Sequence, residues 1–258
     1  MQFHKYQATG NDFILIDDQM QQFPMADQAL VHRCCDRRLG IGADGLILIQ
    51  GSDHADFKMV YFNADGRESS LCGNGARCAV AYAARLGLVN GSTTFEAVDG
   101  LHAAQFQNDT TVALRMHDLK ELHQTDAYSY LDTGSPHHVE MVDNLGEFPV
   151  VATGRSIRYG APYHEAGSNV NFVEQLDEST FAMRTYERGV EDETLSCGTG
   201  ATAVALAMHH RGLTTATSIT LKVQGGELEV HFVPTENGYR EIDLCGPAEF
   251  VYTGSYSC

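Results

Sequence analysis

Two cysteines in this sequence keep matching company. Residues 71–78 read LCGNGARC and residues 196–203 read SCGTGATA, so Cys72 and Cys197 each precede a Gly-x-Gly-Ala turn that opens an alanine-rich segment. A sulfur at the entry to a helix lies near the helix's positive end, which stabilises a thiolate and lowers the thiol pKa from its usual value of about 8.5. Glycines let the backbone come close to a ligand, and the amides of Gly73, Asn74, Gly198 and Thr199 are placed to bind an anion. Two acid/base thiols of this kind suit the inversion of a stereocentre: one base removes a proton from one face while a conjugate acid delivers one to the other. An α-proton is weakly acidic. A carboxylate held over two helix N-termini, with water excluded, would stabilise the carbanion without a pyridoxal cofactor.

The elements that must position these residues recur with the cysteines. A constant offset of 125 residues aligns Cys72 with Cys197, Gly73 with Gly198, Gly75 with Gly200, Ala76 with Ala201 and Gly87 with Gly212. The same offset matches Tyr61 with Tyr186 upstream, so the chain reads as a duplicated unit and two similar domains. Short β-rich runs bounded by Gly, Asn and Asp dominate each half: FILIDD, GLILIQ, FKMVYFN, TTFEAV and TVALRMH, then HHVEMV, NVNFVEQ, FAMRTYE, SITLKVQ and LEVHFV. Helices are expected over 27–39, 75–86 and 200–211, with a less distinct one in the second half. The latter two are small or apolar at nearly every position, as in a helix buried all round. The expected fold is α+β: two pseudo-symmetric domains, 1–119 and 120–243, each a curved, mostly antiparallel sheet around a central helix, with the active site in the cleft between them. A polar stretch at 118–130 reads as the linker. Residues 244–252 read as one strand that returns to the first domain.

Composition narrows the function. A net charge of −17 disfavours nucleic acid and anionic membrane as partners, because phosphate backbones are neutralised by Lys and Arg. No apolar run is long enough to span a bilayer and the N-terminus has no apolar signal core, so a cytoplasmic protein acting on a small molecule is expected. The seven cysteines are odd in number and lack C-x-x-C pairs, which suggests neither a disulfide framework nor a metal site. Cys34, Cys35, Cys78 and Cys245 read as core, and Cys258 as uninformative.

With these residues in view, the whole chain resembles the diaminopimelate epimerases. The motifs occur in order: TGNDFILID, GIGADGL, FNADG, LCGNGARC, TGSPHHV, SNVNFV, YERG and LSCGTGA. The resemblance implies cofactor-independent interconversion of LL- and meso-diaminopimelate, for lysine and peptidoglycan synthesis, by a homodimer. It implies Cys72 and Cys197 as the two acid/base residues, the amides after them as the α-carboxylate site, and Asn11, Asn63, Asn169, Glu187 and Arg188 as holders of the distal amino acid head. That head carries one carboxylate and one ammonium, which suits an arginine, neutral amides and one carboxylate. His137 and Glu187 match residues beside the cysteines, whereas His138 is given no role. Two positions depart from many relatives: Ser135 where Asn is common, and Gly45 where some have Gln. Two other readings stand beside this one. A racemase of another amino acid such as proline would lack need of the polar distal site. A cysteine hydrolase or a non-catalytic amino acid binder would not need the second cysteine.

Overall fold

The computed structural model describes residues 1–69, 71–108 and 110–257, so Cys258 lies outside the described residues. In chain order the first elements are β1 (Gln2–Ala8), β2 (Asn11–Asp17), α1 (Gln28–Cys35), β3 (Gly45–Gln50), β4 (Phe57–Asn63), α2 (Gly73–Arg85), β5 (Ser92–Ala97), β6 (Gly100–Asn108) and β7 (Thr111–Arg115). There follow β8 (Leu122–Gln124), β9 (Tyr128–Asp132), β10 (Pro136–Met141), α3 (Val150–Tyr159), β11 (Asn169–Gln175), β12 (Thr180–Glu187) and β13 (Asp192–Thr194). The chain ends with α4 (Gly198–His210), β14 (Ser218–Val223), β15 (Gly226–Thr235), β16 (Gly238–Pro247) and β17 (Glu249–Ser255). Two compact units result: residues 1–114 with 246–258, and residues 115–245.

In the first unit the strands pair in the order β17, β1, β2, β3, β4, β5, β6, β7. Among the described residues of this unit only β2–β3 and β4–β5 are parallel, and each of those pairs is joined by a helix, α1 or α2, as a parallel connection requires. Alternation along the strands gives the sheet two apolar faces. Ile14, Leu46, Leu48, Val60 and Phe62 pack with Leu30, Val31, Cys34 and Cys35 around α1. The opposite face meets α2: a side chain at Gly75 would come within 3.1 Å of Ile47 and 3.4 Å of Phe13. α2 also packs on β1, β4 and β6, so the sheet curves round it.

The second unit repeats the plan with β8, β9, β10, β11, β12, β14, β15 and β16, again parallel only at the two helix-linked pairs, β10–β11 and β12–β14. Its central helix α4 has no solvent exposure from Ala201 through Met208, and its alanines let the strands close on it from all sides. α3 covers the outer face through Val150 against Val170, Phe172 and Tyr186.

Three sequence expectations change. The stretch 118–130 is not a linker: it holds β8 and the turn into β9, an antiparallel pair, and Leu119 bridges to Tyr239. Residues 244–252 span two strands, β16 and β17, broken at Ala248, and β17 does return to β1 in the first unit. The central helices begin at Gly73 and Gly198, two residues earlier than their alanine runs suggest, which makes Cys72 and Cys197 themselves the N-caps. Among the described residues no helix is long and apolar enough to cross a membrane.

Candidate functional site

Cys72 caps α2 with an extended backbone, φ −101° and ψ 119°, and Cys197 caps α4 in the same way, φ −128° and ψ 110°. Neither side chain is spent on a capping hydrogen bond to its own helix. The first-turn amides of a helix have no acceptor within it. Those amides, at Gly73 and Asn74 and at Gly198 and Thr199, stand beside each sulfur in the kind of geometry that can cradle an anion. The other described cysteines cap no helix: Cys34, Cys35, Cys78 and Cys245 lie buried within α1, α2 and β16, and burial pushes the Cys35 thiol up to about 12 and the Cys78 thiol higher still, which leaves both un-ionised.

In the first unit Cys72 Sγ donates to Asn11 Oδ1 at 3.7 Å, and Asn74 Nδ2 donates to the same oxygen at 3.3 Å. The Asn11 amide is oriented from behind, where its nitrogen donates to Asp44. Asp44 and Asp12 are in turn clamped by Arg37, at 2.7 and 2.6 Å, and Lys5 pairs with Asp12 at 2.7 Å. Burial alone would raise Asp12, but hydrogen bonds from Arg37 and Lys5 override it and hold the carboxyl at about 2. A residue absent from the sequence expectations, Arg77, is fully buried one turn into α2. It donates to Asn74 Oδ1 at 2.9 Å and to the Gly73 carbonyl at 3.5 Å, so it fixes the turn that carries Cys72.

Asn63 lies at the exposed end of β4, paired in register with Gly45, which neighbours Phe13 on β2. The Gly45 departure has a steric reason. A Cβ there would stand 2.5 Å from Tyr61 Cε2 and 2.6 Å from the Phe62 carbonyl, because the Tyr61 ring fills the space a longer side chain would need.

In the second unit the strands β10, β11 and β12 bring a polar network under Cys197. His137, on β10, is wholly buried, contrary to the usual place of a histidine after proline. Its Nε2 lies 2.9 Å from Thr199 Oγ1 and 3.0 Å from Ser135 Oγ, while Nδ1 is 3.1 Å from Asn171 Nδ2. Asn171 Oδ1 accepts from Thr185 and its nitrogen also donates to the His138 carbonyl, which fixes the amide. Nδ1 of His137 is therefore an acceptor and Nε2 carries the proton. Burial, aided by the Arg188 cation, lowers the His137 pKa to about 3, so the ring is neutral. Thr199 Oγ1 lies 3.5 Å from Cys197 Sγ and joins the ring to the sulfur. Gly200 is required by the same crowding: a Cβ would meet Asn171 Oδ1 at 2.6 Å and Cys197 Sγ at 3.3 Å.

Asn169, expected to hold the distal head, is buried. Its nitrogen donates to Ser135 Oγ and the Pro136 carbonyl, both at 3.0 Å, and its oxygen accepts from the Arg188 amide at 2.9 Å. It thus positions the exposed Arg188, whose guanidinium also donates to the Ala166 carbonyl at 3.0 Å. The neighbouring Glu187 is raised by burial. His138 is not a surface residue either. It stacks on Tyr128 with centroids 4.5 Å apart and bonds Tyr163 Oη at 2.9 Å, away from the cysteine network. Asn171 and Arg77 were the residues that sequence reasoning missed. The available signal was a polar residue inside the otherwise apolar NVNFV strand, and a lone arginine inside an alanine helix.

Comparison with known proteins agrees with this plan. A family model described as diaminopimelate epimerase matches residues 3–120 and 129–256. A diaminopimelate epimerase of Flavobacterium psychrophilum is 53% identical over 252 residues, covering 98% of each chain. One of Chlorobaculum tepidum is 42% identical over 256 residues, covering 96% of this chain and 98% of its own. Among solved structures, a PhzF-family phenazine biosynthesis protein of Bacillus anthracis superposes with a TM-score of 0.77 at 16% identity, covering 100% of this chain and 99% of that one. A probable proline racemase of Agrobacterium radiobacter K84 gives 0.66 at 16% identity, covering 99% and 92%. Those two likenesses establish the two-unit fold, whereas the close sequence relatives establish kinship: the chain belongs to the diaminopimelate epimerase family.

Proposed function

We propose that this isomerase interconverts LL- and meso-diaminopimelate with Cys72 and Cys197 as its two bases. The observation that carries the reading is the repeated cradle, a cysteine N-cap followed by first-turn amides, each backed by its own polar network. The chemistry requires the sulfurs to address opposite faces of one Cα. The thiolate takes the Cα proton, the C–H electron pair moves into the carboxylate as charge, and the thiol on the other face returns a proton to carbon. The enzyme ends with thiol and thiolate exchanged and no net change in protons. The amides of Gly73, Asn74, Gly198 and Thr199 stabilise the charge that develops on the α-carboxylate. Distal recognition falls to Arg188 as carboxylate partner and Glu187 as ammonium partner, with Asn11, Asn63 and Asn169 shaping the site. A homodimer acting in the cytoplasm completes the reading, checked by sedimentation and by fractionation.

The test is solvent exchange. In heavy water, LL-diaminopimelate should gain deuterium at Cα as it epimerises, and proline should not. Cys72→Ala and Cys197→Ala should each abolish epimerisation. Exchange with proline alone, or full epimerisation by either alanine variant, defeats the proposal.

A further inference from the structure

The hydrogen bonds around Cys197 have a direction. Asn169 Nδ2 has only protons to offer, so Ser135 Oγ, 3.0 Å away, accepts from it. The Ser135 proton then points onward, and Thr199 Oγ1 lies 3.3 Å from it. His137 presents Nε2–H to the same two hydroxyls, because Asn171 occupies Nδ1 as a donor. Thr199 Oγ1 thus receives from behind and has its single proton left for Cys197 Sγ, at 3.5 Å. Thr133 Oγ1 donates to the Thr199 carbonyl at 2.8 Å, which holds the backbone that carries this hydroxyl.

We propose that Ser135 and Thr199 form a hydroxyl relay that stabilises the thiolate of Cys197, with Ser135 acting as a positioning residue through Thr199. The inference rests on the proposed role of Cys197 as a base and adds to it a specific donor and a reason for serine at position 135. An asparagine there would accept at its oxygen and donate from its nitrogen, two atoms set apart, whereas a hydroxyl does both at one. A serine both accepts from Asn169 and donates to Thr199. First-unit chemistry is different, for Cys72 Sγ is itself the donor, to Asn11 Oδ1.

Titratable and charged groups also stand on the elements around this network. From β10 comes His137, which is neutral; from the end of β12 come Glu187 and the exposed Arg188, of opposite sign and adjacent. β11 contributes the uncharged Asn171, and α4 its positive end. The equivalent of this end exists at Cys72, so it does not single Cys197 out.

The experiment is cysteine-specific alkylation of the intact enzyme without substrate, across pH, with peptide mapping to follow Cys72 and Cys197 in the same samples. The pH midpoint is read instead of the rate, because a lower thiol pKa also reduces nucleophilicity. Thr199→Val should raise the Cys197 midpoint by about half to one pH unit, a roughly three- to tenfold loss of thiolate at pH values well below the midpoint, as expected for one lost donor. Ser135→Ala should move it the same way by less. Thr199→Ser should leave it in place, and the Cys72 midpoint should stay fixed throughout. An unmoved Cys197 midpoint in folded Thr199→Val, or an equal shift of both cysteines, overturns the relay. If wild-type enzyme fails to exchange Cα protons, the reading of Cys197 as a base falls instead, while the midpoint measurement still judges the relay. Should Thr199→Val not fold, Ser135→Ala decides by the same criterion.

Discussion

Replacing His137 by glutamine should flatten the acid limb of the stability curve by a calculable amount. His137 has no solvent exposure, and its pKa in the folded protein is about 3 against 6.5 for a free ring, through burial first and Arg188 second. Above pH 6.5 the ring is neutral in both states and contributes no pH dependence. As pH falls, the unfolded chain takes up a proton that the folded chain refuses, so stability is lost progressively between 6.5 and 3. At about 1.36 kcal/mol per unit, the loss at pH 5 is about 2 kcal/mol, and at pH 4 about 3.4 kcal/mol. Wild type and His137→Gln should be unfolded in urea at pH 7.5 and pH 5. The variant has its own stability, but only the difference between the two pH values matters, and other titrating groups cancel. Wild type should lose about 2 kcal/mol more than the variant on acidification. Equal losses would mean that His137 is either protonated in the fold or as accessible as in the unfolded chain, and the assigned tautomer would fail with it.

Three further outcomes follow from close packing. Gly45→Gln should destabilise by about 1–3 kcal/mol, since its Cβ overlaps Tyr61 and the Phe62 carbonyl; adding Tyr61→Ala should recover only part, and a fully stable single variant in urea unfolding would contradict the packing. Arg77→Gln should cost on the order of 3–5 kcal/mol, because buried acceptors at Asn74, Gly73 and Pro247 lose their donor; calorimetry showing an unchanged melting temperature would refute that. Leu206→Ala, at an unexposed position of α4, should cost about 3–5 kcal/mol by leaving a cavity, measured in the same way.

Much of the fold is visible in the sequence because local pattern and tertiary role coincide. GLILIQ, FKMVYFN and NVNFVEQ are the strands β3, β4 and β11 at their full extents. Where the pattern conflicts with the role, the reading fails for identifiable reasons. β1 carries Lys5, which looks like a surface residue but is buried against Asp12. α3 contains Gly154, ordinarily a breaker, and there a Cβ would stand 2.4 Å from Tyr186 Cβ, so glycine is what lets the helix lie on β12. Gly73 and Gly198 read as turn and are instead the first residues of helices. In the candidate site, the two cysteine N-caps stand out in the sequence because duplication repeats them. Asn171 and Arg77 were not, since their importance lies in which atoms they face, and no spacing encodes that.

Duplication supplies two matching cradles, yet on the proposed two-base mechanism one sulfur must be thiolate and the other thiol when each turnover begins. The resolution lies in what each cradle is given beyond the repeat. Offset by 125, the buried Arg77 corresponds to Thr202, which is equally buried and turns its hydroxyl to the Gly198 carbonyl at 3.1 Å as Arg77 turns to that of Gly73. Asn11 offers Cys72 an acceptor, and Thr199 offers Cys197 a hydroxyl. These are small inequalities, and smallness is required. LL- and meso-diaminopimelate differ at one centre, so on the proposed mechanism the reverse reaction runs with the roles of the two sulfurs exchanged. A bias of many pH units would trap it in one state. On the proposed mechanism, the buried Arg77 cation in the turn that carries Cys72 and the hydroxyl that Thr199 offers Cys197 each favour a thiolate in their own unit, so the two offset one another.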